Sequence, residues 1–124
     1  MIFKRIGFYK EMSHGKETDD SLLSYINKES DDLFSNICNY LESGVVLIVS
    51  PGIVGDIINS NNGGIATPSI YTDGKWIWPE DLSYYVKNYK LKLPKAFVDD
   101  MINNDWKINI SINDLDLDDI EIEY

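Results

Sequence analysis

Apolar residues along the chain recur at two different spacings, and the changes of spacing mark the elements. In residues 2–9, Ile2, Ile6 and Phe8 fall on one side and Phe3 and Tyr9 on the other, which predicts a first strand. Residues 11–18 are polar and read as a loop. Thr18 is placed to cap a helix carrying Leu22, Leu23 and Ile26, with Asp19 and Asp20 in its first turn. Leu33, Ile37, Tyr40 and Leu41 make one helical stripe, starting near Ser30 and stopped by Gly44. Val45–Val49 is an uninterrupted β-branched and aliphatic run, the pattern of a central strand covered on both faces. Ser50-Pro51-Gly52 ends it, and the Asn-, Ser- and Gly-rich stretch from Asp56 to Thr67 reads as an exposed, mobile loop.

The clearest local signal comes next. Ile70-Tyr71-Thr72 and Lys75-Trp76-Ile77-Trp78 flank Asp73-Gly74, the pair that a type I′ turn favours, so residues 69–78 predict a β-hairpin. Pro79 suits the first position of a helix with Leu82, Tyr85, Val86 and Tyr89 inward. Pro94 opens another helix, with Phe97, Val98, Met101 and Ile102 inward and Asp99, Asp100 and Asn103 outward. Trp106 to Ile112 alternates as a strand. The expected fold is one small α+β domain over residues 1–124, with a mixed, mostly antiparallel sheet and about four helices. The phase of alternation slips at Asn113-Asp114 and again at Asp118-Asp119. The acidic segment 113–124 therefore predicts an edge strand after a turn or bulge, or a tail.

Charge changes the picture most. From Asp99 to Tyr124 there are nine acidic residues and one basic residue, a net of −8. The remaining 98 residues carry 12 acids and 10 bases, so −2 of the total −10. Apolar residues threaded through the acidic segment (Ile108, Ile110, Ile112, Leu115, Leu117, Ile120, Ile122) indicate that it folds and shows its carboxylates on one face. Such a face either blocks unwanted strand pairing or meets a basic partner. A pI of about 4.3 argues against nucleic-acid binding, which needs clustered Lys and Arg. The single cysteine, Cys38, excludes an internal disulfide and a multi-cysteine zinc site. The N-terminus has no long apolar segment of a signal peptide, and no apolar run is long enough to span a bilayer. A cytoplasmic protein without membrane partner or cofactor is expected.

Catalytic parts are scarce. His14 stands alone in a polar loop and reads as a surface residue. Cys38 has no basic neighbour in sequence to activate it and reads as a small buried apolar residue. Asp114, Asp116 and Asp118 are spaced like calcium ligands, but Asp119 stands where the loop needs glycine and no closing Glu follows. Gly52-Ile53-Val54-Gly55 matches no phosphate-loop motif, lacks nearby Lys or Arg, and reads as backbone turns. Trp76, Trp78, Tyr84, Tyr85 and Tyr89 read first as a hairpin packed on the following helix, with partner-anchoring rings as the alternative.

The run Tyr71-Thr72-Asp73-Gly74-Lys75-Trp76-Ile77-Trp78-Pro79, with Leu82, Tyr84-Tyr85-Val86, Tyr89, Leu93-Pro94 and Phe97, resembles a block of small bacterial immunity proteins. These belong to contact-dependent growth inhibition and related polymorphic toxin systems. The resemblance spans roughly residues 67–106; the rest of the chain matches no family pattern. It implies a non-enzymatic inhibitor that occludes one cognate, basic toxin domain, such as a nuclease. The partner-binding residues expected are Asp99, Asp100, Asp105, Asp114, Asp116, Asp118, Asp119 and Glu121, with Asn59–Asn62 a lesser candidate. The alternatives are an acidic adaptor or nucleic-acid mimic for another basic partner, and a small hydrolase using carboxylates alone.

Overall fold

A computed structural model of the chain describes residues 2–28, 31–115 and 121–123. It is an α+β domain in which antiparallel pairings outnumber parallel ones. Seven strands are described: β1 (Ile2–Arg5), β2 (Val45–Ile48), β3 (Val54–Gly55), β4 (Gly64–Ala66), β5 (Ile70–Thr72), β6 (Trp76–Pro79) and β7 (Glu121–Glu123). The three α-helices among the described residues are α1 (Asp31–Glu42), α2 (Leu82–Tyr89) and α3 (Lys95–Asn103). The main sheet has the order β2-β5-β6-β1-β7, antiparallel across β2, β5 and β6 and parallel across β6, β1 and β7. A separate antiparallel ribbon pairs β3 with β4.

The fourth expected helix, after Thr18, is a single 3-10 turn, Leu22–Ser24. Its backbone is recruited elsewhere. Asn27 and Lys28 donate to the carbonyls of Tyr89 and Lys90, and Lys92 donates to Tyr25 O. Asn27 adopts φ 58°, which ends any helical run. The capping acids are also taken: Asp19 grips Arg5 at 2.8 and 3.1 Å, and Asp20 accepts from the Tyr25 hydroxyl.

Strand β6, rather than β2, is the strand covered on both faces, and all four of its residues are buried. Trp76 and Trp78 face the helices and pack on Phe97, with ring centroids 5.2 and 5.5 Å apart. Ile77 faces the other way, onto Phe3 and Leu115. Gly44 is required by this packing, since a Cβ there would stand 2.6 Å from Trp78 Cζ2. Of the aromatic residues read first as core, Trp76, Trp78 and Tyr85 are buried, while Tyr84 and Tyr89 are only partly so. In β1 the buried residue is Phe3, while Ile2 is mostly exposed.

The hairpin forms where expected, but its turn differs. Thr72 pairs with Ile77, which leaves Gly74 and Lys75 as the central residues. Gly74 alone of the two has positive φ, 101°, so the turn places glycine first, in the manner of type II′. Asp73 closes it from outside: its Oδ1 accepts from the amides of Lys75 and Trp76, and its Oδ2 from the Tyr40 hydroxyl at 2.6 Å. Pro79 finishes β6 and α2 begins at Leu82. After α3, Asp105 and Trp106 both turn left-handed, at φ 58° and 60°. The next residues, expected as a strand, run unpaired instead: Ile108 packs with the helix-side core, while Ile110 and Leu115 cover the back of the sheet.

The stretch from Asp56 to Thr67, expected as a mobile loop, is organised by one carboxylate. Asp56 is buried and accepts from the amides of Ile58 and Asn59, from Asn62 Nδ2, and from the hydroxyls of Tyr84 and Tyr89 at 2.7 and 2.5 Å. Burial by itself would raise its pKa. The hydrogen bonds from Tyr89, the Asn59 amide, Asn62 and Tyr84 outweigh that and hold it well below the carboxylate range. A depressed folded pKa contributes stability that is present above the ordinary carboxylate pKa and is lost as pH falls through the folded value. Asp56→Ala is expected to cost about 3 kcal/mol, because it leaves several donors without an acceptor. Denaturant unfolding at neutral pH checks this, and the gap from wild type should narrow toward acid pH.

Candidate functional site

The acidic residues expected to bind a partner divide by their surroundings. Asp100 is part of the scaffold: its Oδ2 accepts from Trp76 Nε1 at 2.8 Å and pairs with Lys75 Nζ at 2.8 Å. The Lys75 and Trp76 hydrogen bonds lower its pKa. It points onto the hairpin, not outward, whereas Ile102, expected inward, is 46% exposed. A helix axis turned slightly from the expected phase accounts for both. Asp99 is paired with Lys95 one turn earlier, at 2.6 Å. Asp105 is exposed at the left-handed turn after α3. Asp114 is exposed in the 3-10 turn Ile112–Asp114 and accepts from the amide of Ser111 at 2.8 Å. Glu121 lies in β7, which runs parallel to β1 at the sheet edge. Asp116, Asp118 and Asp119 lie outside the described residues.

Beside Asp114 lies a surface that sequence reasoning placed in the core. The turn Ile112–Asp114 packs alongside β2. Among the described residues strand β2 is hydrogen-bonded only to β5, and Val46, Ile48, Val49 and Ile53 on it and just beyond it are 39, 48, 80 and 79% exposed. A register shift between Val46 and Ile48 bulges this edge. No charged residue occurs from Gly44 to Gly55, so the bulge and Pro51, rather than charge, are what limit strand pairing at this edge. That absence of charge was the available signal. It pointed equally to a buried strand, because a covered strand and an adhesive edge have the same composition.

His14 is not a surface residue. Its side chain is 15% exposed, T-stacked on Phe8 with centroids 5.4 Å apart, and its Nε2 stands 3.3 Å from the buried Asp81 Oδ1. Neither ring nitrogen nor that oxygen has a hydrogen-bond partner. Neither residue lines the cavity at Arg5–Tyr9 or the one between Glu42 and Asn88. Cys38 is buried, and burial raises its thiol pKa, away from the range of a reactive thiolate. Among the described residues no group of three or more His, Cys, Asp or Glu is arranged to hold a metal. No helix among them is long and apolar enough to cross a membrane.

No family model, curated protein or solved structure matches the chain.

The two neighbouring aspartates of α3 should separate cleanly. Asp100→Ala removes a charged acceptor from a buried indole and is expected to cost roughly 1.5–3 kcal/mol. Asp99→Ala removes an exposed i,i+4 pair and should cost about 0.5 kcal/mol or less. Paired denaturant melts of the two variants decide it, and equal losses would contradict the assignment of Asp100 to the scaffold.

Proposed function

We propose that the protein is a non-enzymatic inhibitor, an immunity protein that binds a cognate basic toxin domain and occludes its active site or substrate surface. The observation that carries this reading is the adjacency of the uncharged, exposed apolar edge of β2 and the acidic turn at Asp114. Contiguous exposed apolar residues bordered by charge are the general mark of a protein-binding surface. An open strand edge adds main-chain donors and acceptors that a partner's extended segment can take up. The carboxylates at Asp105 and Asp114 steer a basic partner toward that edge and match its Lys and Arg. Asp116, Asp118, Asp119 and Glu121 belong to the same acidic segment and are proposed with them. Asp99 contributes where its Lys95 pair opens; Asp100 is withdrawn from the binding set. The W-x-W-P block, buried in β6, serves as framework, which fits a surface that differs from one inhibitor to the next.

Co-expression with the toxin-like gene expected next to this one tests the reading, with growth rescue and co-purification as readouts. Rescue with a stable complex is expected; failure of an abundant, folded protein to rescue would overturn it. Within such a complex, Asp105→Lys with Asp114→Lys should slow association about tenfold at low salt and flatten its salt dependence. Ile48→Lys should instead raise the dissociation rate, because it places a charge on the docking edge.

A further inference from the structure

The loop organised by Asp56 holds the one Asn-Gly pair in the chain, Asn62-Gly63. The fold requires that glycine. Ser60–Asn62 is a 3-10 turn, and Gly63 leaves it at φ 69°, a conformation in which a side chain is strained. Glycine at this position also has a chemical consequence. With no Cβ beside it, the Gly63 amide nitrogen has open access to the carboxamide carbon of Asn62. Both residues are exposed, so solvent reaches the bond.

Hydrogen bonds at both reacting groups hold that chemistry off. Nδ2 of Asn62 donates to Asp56 Oδ2 at 2.8 Å and to the Tyr84 hydroxyl at 3.1 Å. A carboxylate only accepts, so Asp56 fixes which end of the carboxamide faces it. The Gly63 amide donates to Ser60 O at 3.3 Å. The nucleophile and the leaving group are thus both engaged while the loop is closed. Asp56 also accepts from the amides of Ile58 and Asn59 and from the Tyr84 and Tyr89 hydroxyls. The state of Asn62 is therefore tied to the state of the whole cluster.

We propose that Asn62 is a modification site that the closed loop protects and local opening exposes to deamidation. In the open loop the Gly63 nitrogen, having lost its proton to solvent base, bonds to Asn62 Cγ. The Cγ–Nδ2 bond breaks, and ammonia leaves with a proton taken from water, giving a cyclic imide. Water then adds to either imide carbonyl and opens the ring, to aspartate or to isoaspartate. In sum, an amide and a water become a carboxylic acid and ammonia, with no change of oxidation state. The ionised product only accepts, so it donates nothing to Asp56 and sets a like charge beside it. Conversion removes a stabilising contact and adds repulsion, and the loop opens more readily afterwards. The site lies outside the acidic segment, and its failure would leave the partner-binding reading untouched.

The test is incubation of the full chain at mildly alkaline pH, native and in guanidinium chloride, with acid and isoaspartate at position 62 read by peptide mass spectrometry. Conversion at Asn62 should be about tenfold or more slower in the native protein than in the unfolded chain, because local opening limits it. Tyr84→Phe keeps the ring but removes an acceptor from the carboxamide and a donor from Asp56. It should speed native conversion roughly threefold or more and leave the denatured rate unchanged. No conversion in the denatured chain, equal native and denatured rates, or a native Tyr84→Phe rate equal to wild type would each overturn the proposal. Hydrogen exchange at the Ile58 and Asn59 amides reads the consequence. Asn62→Asp should speed it more than Asn62→Ala, since both lose the donor and only aspartate adds charge. Equal exchange in the two variants would overturn the proposed loosening of the loop.

Discussion

Strand β6 needs cover on both faces, and most of the architecture follows from meeting that need. Its indoles demand a helical layer on one side, supplied by Tyr40 of α1 and Phe97 of α3. Ile77 demands cover on the other, and among the described residues Phe3 and Phe8 share that cover with Ile110 and Leu115 of the segment after α3. Through Ile110 and Leu115 the described start of the acidic segment is a structural layer of the domain.

The same constraint sets where the protein is adhesive. Once β5 and β1 flank β6, β2 is left at the rim with one hydrogen-bonded neighbour among the described residues. Its apolar run then shows the surface what would be core residues at any other place in the sheet. Proximity to the turn at Asp114 gives that edge a charged border. Neither component alone specifies a partner; an apolar edge invites any strand, and isolated carboxylates hold little affinity in water. Together they favour a partner that is basic and can present extended backbone.

Buried polar groups do different work in different parts of the molecule. Asp56 and Asp73 each convert a polar connection into a fixed one by accepting several hydrogen bonds. Asp100 ties α3 to the hairpin through an indole N–H. Among the described residues, His14 and Asp81 are brought together without a satisfied hydrogen bond. Carboxylates with a full set of donors stabilise the framework.

Periodicity and turn chemistry determined the hairpin at residues 69–78 and the helical stripes of α1, α2 and α3, because each depends on neighbours within a few residues, whereas the burial of Trp76 and Trp78 waited on Tyr40 and Phe97 from distant helices. Composition determined the absence of disulfides and the −10 charge with its imbalance between the ends. Tertiary structure alone decided what those patterns were for. Whether Val45–Val49 lies at the centre or the rim of the sheet depends on strand order, which pairs residues far apart in sequence. Whether residues 18–28 become a helix depends on backbone groups offered by residues 89–92. Asp99 and Asp100 are the same residue type side by side, and only the placement of α3 against the hairpin pairs one with Lys95 and ties the other to Lys75 and the Trp76 indole. Local pattern encodes what a segment can be; its burial, pairing and charge state are properties of the surroundings that folding brings to it.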